Sequence, residues 1–276
     1  MKDLICEIYF DYQGTNSKKV NDELLDNLGF IPKIYRYIEG DESSEEVPFT
    51  GEEVQDLLNS NFDSITIQNI PYENIGADRL NWCKIENNKP YKLLSIKWKC
   101  DSLGFLVNNA FFDKLLKDEN LICSYCYNFE DVFNQTSRVL FAKNKEIDSS
   151  INKNDLNDSS LKNTDKWGAQ IHIAGLNFMV APLMWLGRKY FDIIAKEKLM
   201  QFKYSQEDGH DLVKIVLFEL NEFPVSAASR EKQKLFWEEF NFRKIVRAYG
   251  EKRDKELGVD FSSLLENYLT QKKKKR

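Results

Sequence analysis

Cys123-Ser124-Tyr125-Cys126 spaces two thiols as a redox couple requires, provided a helix N-terminus lowers the pKa of the first. Here the pair alternates with Tyr125 and Tyr127 in a segment of strand character, so the pleat turns the two thiols to opposite faces and structural cysteine is the reading that follows. Cys83 and Cys100 would complete a tetrahedral thiolate set, but a second close-spaced pair is missing, so no metal is expected. The two histidines are His172, between Ile171 and Ile173 in a strand-like context, and His210, after Glu207-Asp208-Gly209 in a turn-like one. A Cys-His or Ser-His-Asp nucleophile system would require long-range assembly that the sequence does not display. With no phosphate-cradling glycine loop either, no catalytic residue and no cofactor is expected.

The residues left with chemistry to offer are charged. Glu39, Asp41, Glu42, Glu45, Glu46, Glu52 and Glu53 form a run of seven carboxylates without a base. A protein that masks a cationic active site presents carboxylates at such density, and the candidate partner contacts are Glu39, Asp41, Glu42, Glu45 and Glu46. Lys272 to Arg276 supply five positive charges at the C-terminus, so a chain of net charge −5 carries −10 on the remainder. An acidic body repels nucleic acid and anionic lipid, and the basic tail lacks interleaved aromatics for base stacking, so neither nucleic acid nor membrane is expected as a partner.

These residues have to be positioned by a substantial fold. A compact chain of 276 residues buries roughly three quarters of its unfolded surface. Hydrophobic residues at 42% and charged residues at 30% fit an ordinary globular protein. Five cysteines, an odd count without an export signal, and no apolar run of membrane-spanning length indicate reduced thiols in the cytoplasm.

Strands are expected at Leu4 to Phe10, Ser64 to Ile70, Lys92 to Lys99, Leu121 to Tyr127, Ala169 to Ala174 and Lys214 to Leu220. Val20, Leu24, Leu25 and Leu28 share a helical face that stops at Gly29, and Asn109 to Leu116 reads as a short helix. The acidic run reads as a loop feeding a helix that starts at the capping box Thr50-Gly51-Glu52-Glu53 and carries Val54, Leu57 and Leu58. Ser229 is placed to cap one long helix to about Glu251, and Asp260 another. The fold class is α+β, a mixed or antiparallel sheet with flanking helices and a helical C-terminus. The expected organisation is an α+β region over 1–143, a flexible polar loop over 144–166 and an aromatic-rich α+β region over 167–276, packed on the first as one compact unit.

Trp167 to Phe202 is the densest apolar and aromatic stretch and reads as scaffold, with an exposed subset available for an interface. Taken together, the Tyr125 to Gln135 stretch, Trp167-Gly168, Met184-Trp185-Leu186-Gly187 before Tyr190-Phe191, and Arg230-Glu231-Lys232-Gln233 resemble immunity proteins of bacterial polymorphic-toxin systems, including those of contact-dependent secretion. The resemblance implies a non-enzymatic cytoplasmic inhibitor that binds a cognate toxin and occludes its active site, and it transfers no functional residue to a numbered position. If that toxin acts on anionic substrates, Glu42, Glu45 and Glu46 are the contacts that stand in for phosphates. An enzyme with a dispersed site, a hydrolase or transferase, is the alternative, and a structural subunit of a bacterial assembly is the third reading. The sequence does not fix the oligomeric state.

Overall fold

Every position from Leu4 to Phe10 is buried, which places strand β1 (Leu4–Asp11) inside a sheet that is covered on both faces. The computed structural model of the chain describes residues 4–11, 17–40, 42–60, 63–70, 77–87, 91–100, 109–143, 167–173, 176–209 and 211–257. From β1 the chain passes through helix α1 (Ser17–Leu24) and a 3-10 turn to Gly29, whose φ of 77° ends the helical region as glycine alone does cheaply. Then come β2 (Ile34–Glu39), β3 (Glu42–Ser43), β4 (Val47–Pro48), α2 (Gly51–Asn59), β5 (Ser64–Gln68), β6 (Arg79–Asn87) and β7 (Tyr91–Cys100). Helix α3 (Ala110–Leu116), β8 (Leu121–Asn128) and α4 (Phe129–Lys143) complete the first half. The second half holds β9 (Ile171–Ile173), β10 (Leu176–Phe178), β11 (Leu183–Gly187), α5 (Lys196–Met200), β12 (Ser205–Glu207), β13 (Leu212–Val216), α6 (Ala227–Glu239) and α7 (Phe242–Leu257).

The fold is α+β. Eleven strands form one sheet in the order β12-β13-β11-β8-β1-β7-β6-β5-β2-β3, with β4 also on the outer side of β2 and every pairing antiparallel. Strands β9 and β10 pair separately. The chain resolves into two compact units, one of Met1–Phe129 with Pro182–Asn221 and the other of Glu130–Ala181 with Glu222–Arg276. The first contains the large sheet and the second contains the β9–β10 pair, α6 and α7.

In the first unit, the two-residue period of the strands sorts the side chains. Cys6 and Ile8 of β1, Leu94, Ile96 and Trp98 of β7, Leu80 and Trp82 of β6, and Ile65 and Ile67 of β5 share one core. Helices cover that face with Val20 and Leu24 of α1, Val54 and Leu58 of α2, and Phe112 and Leu115 of α3. Trp82 fastens the layers, because its indole N–H donates to Asn21 Oδ1 at 3.1 Å and the Asn21 amide donates to the Leu58 carbonyl at 2.7 Å. Truncating so large a buried side chain costs about 3–5 kcal/mol. The opposite face is polar on β5, β6 and β7, where Ser64, Thr66, Gln68, Arg79, Asn81, Ser95, Lys97 and Lys99 alternate with those core residues.

The second unit packs on aromatic rings. Trp237 lies 5.7 Å from Trp167 and 5.0 Å from Phe242, ring centre to ring centre, and Phe178 lies 4.9 Å from Tyr249. Such edge-to-face pairs each add about 0.5–1.5 kcal/mol beyond the area they bury.

Several expectations shift. The acidic run is not a simple loop: it contains the end of β2 and all of β3 and β4, because Val47 and Phe49 pack against the core and draw the chain back along β2. The helix after it starts where expected, but the capping box does not form: the Thr50 side chain caps no backbone N–H, and its hydroxyl donates instead to Glu53 Oε2 at 2.6 Å. The long helix expected from Ser229 to about Glu251 is two helices. Ser226 is the cap, accepting from the Ser229 N–H at 3.2 Å, and Asn241 at φ 48° breaks the run, a left-handed conformation that asparagine tolerates. The strand expected at Lys214 to Leu220 is β13 and ends at Val216, with Leu217 and Phe218 buried beyond it. Strands β2, β6, β10, β11 and β12 and helices α4 and α5 stand outside the expected elements. The loop over Asn144 to Lys166, the helix at Asp260, His210 and the basic tail lie outside the described residues.

Candidate functional site

The exposed carboxylates gather at one end of the large sheet. Strand β2 carries β3 and β4 on its free side, with Ile38 opposite Ser43, Glu39 opposite Glu42, Ile34 opposite Pro48 and Tyr35 opposite Val47. The turn between β2 and β3 uses Gly40 at φ 58°, whose N–H donates to Asp63 Oδ2 at 2.7 Å. Ser44 holds the return, donating its N–H to the Tyr37 carbonyl at 2.9 Å while its hydroxyl accepts the Tyr37 N–H at 2.9 Å.

Glu39, Glu42, Glu45 and Glu46 are all exposed on this edge, and Asp41 lies outside the described residues. Glu39 and Glu42 face each other directly across the terminal strand pair, an arrangement that destabilises a sheet through like-charge repulsion. Two apolar side chains stand nearby in sequence, Ile31 at 81% exposure and Ile38 at 43%. Glu52 and Glu53 differ from the other four: they occupy the first turn of α2, where carboxylates favour the helix dipole. Glu53 also accepts from Thr50 and, at 3.3 Å, from the Tyr35 hydroxyl. Burial, and then the Glu53 carboxylate, raise the Tyr35 phenol above its ordinary pKa. Short edge strands bearing glutamate and Pro48 also discourage unwanted strand addition.

The thiol candidates sit in β8. Cys126 stands opposite Cys6 in the core and Cys123 opposite Tyr9 on the other face, and both are fully buried. Burial pushes the Cys123 thiol well above its ordinary range, and the same cause raises the phenols of Tyr9, Tyr125 and Tyr190. A thiol held protonated in this way is a poor nucleophile at neutral pH. Cys83, half-buried on β6, is also raised, by burial and then by Asp63. Among the described residues, no group of three or more His, Cys, Asp or Glu is placed to hold a metal ion. His172 occupies β9 opposite Asn177.

Two buried polar centres went unanticipated. In the first unit, the carboxylate of Glu7, 1% exposed, accepts from Tyr127 at 2.7 Å and Tyr9 at 2.9 Å and pairs with Lys97 Nζ at 2.6 Å. In the second unit, Asp131 of α4 forms a two-pronged ion pair with Arg230 of α6, one prong at 3.0 Å. Arg230 also donates to Gln233 Oε1 at 2.7 Å, and Gln233 donates to the Val180 carbonyl at 2.6 Å. Gln135 donates to Asp131 Oδ2 at 3.0 Å and accepts the Gly168 N–H at 2.8 Å. A Cβ at residue 168 would lie 2.6 Å from the Gln233 amide nitrogen and 2.7 Å from that of Gln135, so those side-chain ends would have to shift to admit it. Three of the stretches that carry the resemblance, those ending at Gln135, opening at Trp167 and starting at Arg230, therefore meet in one network. Spacing along the chain carried no signal of it.

Among the described residues, no helix is long and apolar enough to cross a membrane. No protein-family profile matches the chain, and no curated protein matches it. Among solved structures it is similar to the Pseudomonas aeruginosa T6SS protein PA0821, at 11% sequence identity and a TM-score of 0.49, over 88% of this chain and 73% of that one.

Proposed function

We propose that the chain is a non-enzymatic binding protein that docks a protein partner through the acidic edge of its large sheet. The observation that carries this reading is the exposed set Glu39, Glu42, Glu45 and Glu46, with Glu39 and Glu42 opposed in register. Opposed like charges cost the free protein stability, and a cationic partner surface placed over them turns that cost into attraction. The resemblance to immunity proteins supplies the kind of partner, a cognate bacterial toxin domain whose active site is occluded. A toxin acting on anionic substrates would present such a cationic surface, with Glu42, Glu45 and Glu46 standing where phosphates bind.

Co-expression with toxin domains encoded beside this gene tests the reading. Rescue of growth together with a stable purified complex is the expected result, and neither rescue nor complex with any neighbouring product rejects it. Within a complex, reversing Glu42, Glu45 and Glu46 to lysine should slow association by about 10-fold or more at low salt and much less at high salt. An unchanged low-salt rate would remove these residues from the interface.

A further inference from the structure

Helix α7 turns its apolar residues inward and its bases outward. Phe242 and Val246 are buried, with the Phe242 ring centre 5.0 Å from that of Trp237, whereas Arg243, Lys244 and Arg247 are exposed. Lys252 and Lys255 are exposed further along the same helix. Arg243 and Arg247 are four residues apart, so they stand one above the other at about 5–6 Å, a spacing at which like charges repel. The carboxylates nearest in sequence, Glu238, Glu239 and Glu251, are exposed as well. Among the described residues, no carboxylate pairs with Arg243, Lys244 or Arg247.

The acidic edge is the counterpart of this helix face. Glu39 and Glu42 stand directly opposite each other across β2 and β3, which brings two like charges to about 4.5–5.5 Å, and Glu45 follows them on the same edge. None of these three carboxylates is paired among the described residues either. The molecule therefore exposes two sets of charges with similar spacing and opposite sign, each under its own repulsion. Laid on one another, they exchange two unfavourable pairs for arginine–carboxylate contacts, in which the guanidinium fork meets a carboxylate with two parallel bonds. A chain of net charge −5 repels a second copy over much of its exterior, so an exposed basic helix face orients their encounter.

We propose that the basic face of α7 binds the acidic edge of a second copy of this chain. The contact joins different surfaces on the two copies. It is head-to-tail, and it closes into a ring or extends into an open chain according to the rotation between copies. Because it is built from exposed charges, the association is weak and salt-dependent. It shares the acidic edge with the toxin-docking reading but needs no toxin, and a bound toxin and a second copy compete for Glu39, Glu42 and Glu45.

Sedimentation velocity of the full chain alone tests the proposal. The average mass should rise with protein concentration at about 50 mM salt, and the association should weaken by about tenfold or more at about 500 mM. Reversing the helix face (Arg243→Glu, Lys244→Glu and Arg247→Glu together) should leave a monomer, and so should reversing the edge (Glu39→Lys, Glu42→Lys and Glu45→Lys together). Equimolar mixing of the two reversed chains should restore association, since each then offers the other its complement. If a reversed chain fails to fold, the milder Arg243→Ala, Arg247→Ala variant decides, with an expected weakening of about fivefold. Four results overturn the proposal: a monomer at low salt up to about 500 μM, where a contact of several ion pairs should associate; association that salt does not weaken; association that survives reversal of α7, which would place the contact elsewhere, for example on the basic tail; or a mixture that stays monomeric. None of these results bears on rescue by co-expression, so this proposal and the docking reading fail separately.

Discussion

Two sets of buried carboxamides in this molecule are treated in opposite ways. In the second unit, Gln135 and Gln233 are fully engaged, lying between Asp131, Arg230, the Gly168 N–H and the Val180 carbonyl. In the first unit, Gln68 is buried as deeply and its amide meets nothing among the described residues. The contrast separates polar groups that fix a fold from a polar group that the fold carries at a cost. A satisfied network specifies one packing arrangement, whereas an unmet buried amide costs stability.

The matched set should break hardest. Arg230→Met leaves the Asp131 carboxylate buried without its partner and should cost about 3–5 kcal/mol in urea unfolding, with much of the loss recovered when Asp131→Leu is added. Gly168→Ala comes next, at about 1–3 kcal/mol, because the new methyl must displace two amides already committed to hydrogen bonds. Equal stability of the Gly168→Ala variant and the wild type would mean that the network is looser than its distances indicate. Gln233→Met should lose about 1–3 kcal/mol and Gln68→Met should gain about 1 kcal/mol, the same chemical change with opposite sign. A loss at both positions would erase the distinction.

The smallest effect is one of pH. Glu222 accepts from the Ser226 N–H at 2.8 Å and the Ser229 hydroxyl at 2.7 Å. Burial works to raise its carboxyl, but these bonds and Lys232 outweigh it and hold the pKa below the ordinary value. A depressed carboxylate contributes stability that is fully present above its unfolded pKa of about 4.3 and is lost as pH falls through the lower folded value. Glu222→Gln should therefore flatten the acid limb of the stability profile and leave the region above pH ~5 with a constant offset. An acid limb identical to that of the wild type would show that Glu222 does not report on folding.

Local signals are legible where one residue decides the outcome. Gly29 ends the first helical segment, and the Asn109 side chain caps α3 by accepting the Phe111 N–H at 2.7 Å. Strand β6 is masked in the sequence because Lys84 interrupts its apolar positions. Its ammonium reaches the Ser60 carbonyl at 2.7 Å and lies over the Trp82 ring, so a charged residue occupies the core face with its charge satisfied at a distance. Helix α4 is hard to separate in the sequence because its apolar spacing begins inside the aromatic stretch that also forms β8. The carboxylates of the edge were legible as a block of one sign, but their pairing across β2 and β3 was not, since it depends on Val47 and Phe49 anchoring the return strand in the core. The Asp131–Arg230 network joins residues 99 positions apart, beyond the reach of any local pattern.

Hydrogen exchange on the chain, alone and with its co-purified partner, tests the central claim most directly. Partner-dependent slowing of amides from Ile34 to Val47, across β2, β3 and β4, is the predicted result. Protection confined to the second unit, with that edge exchanging as in the free protein, would contradict the account.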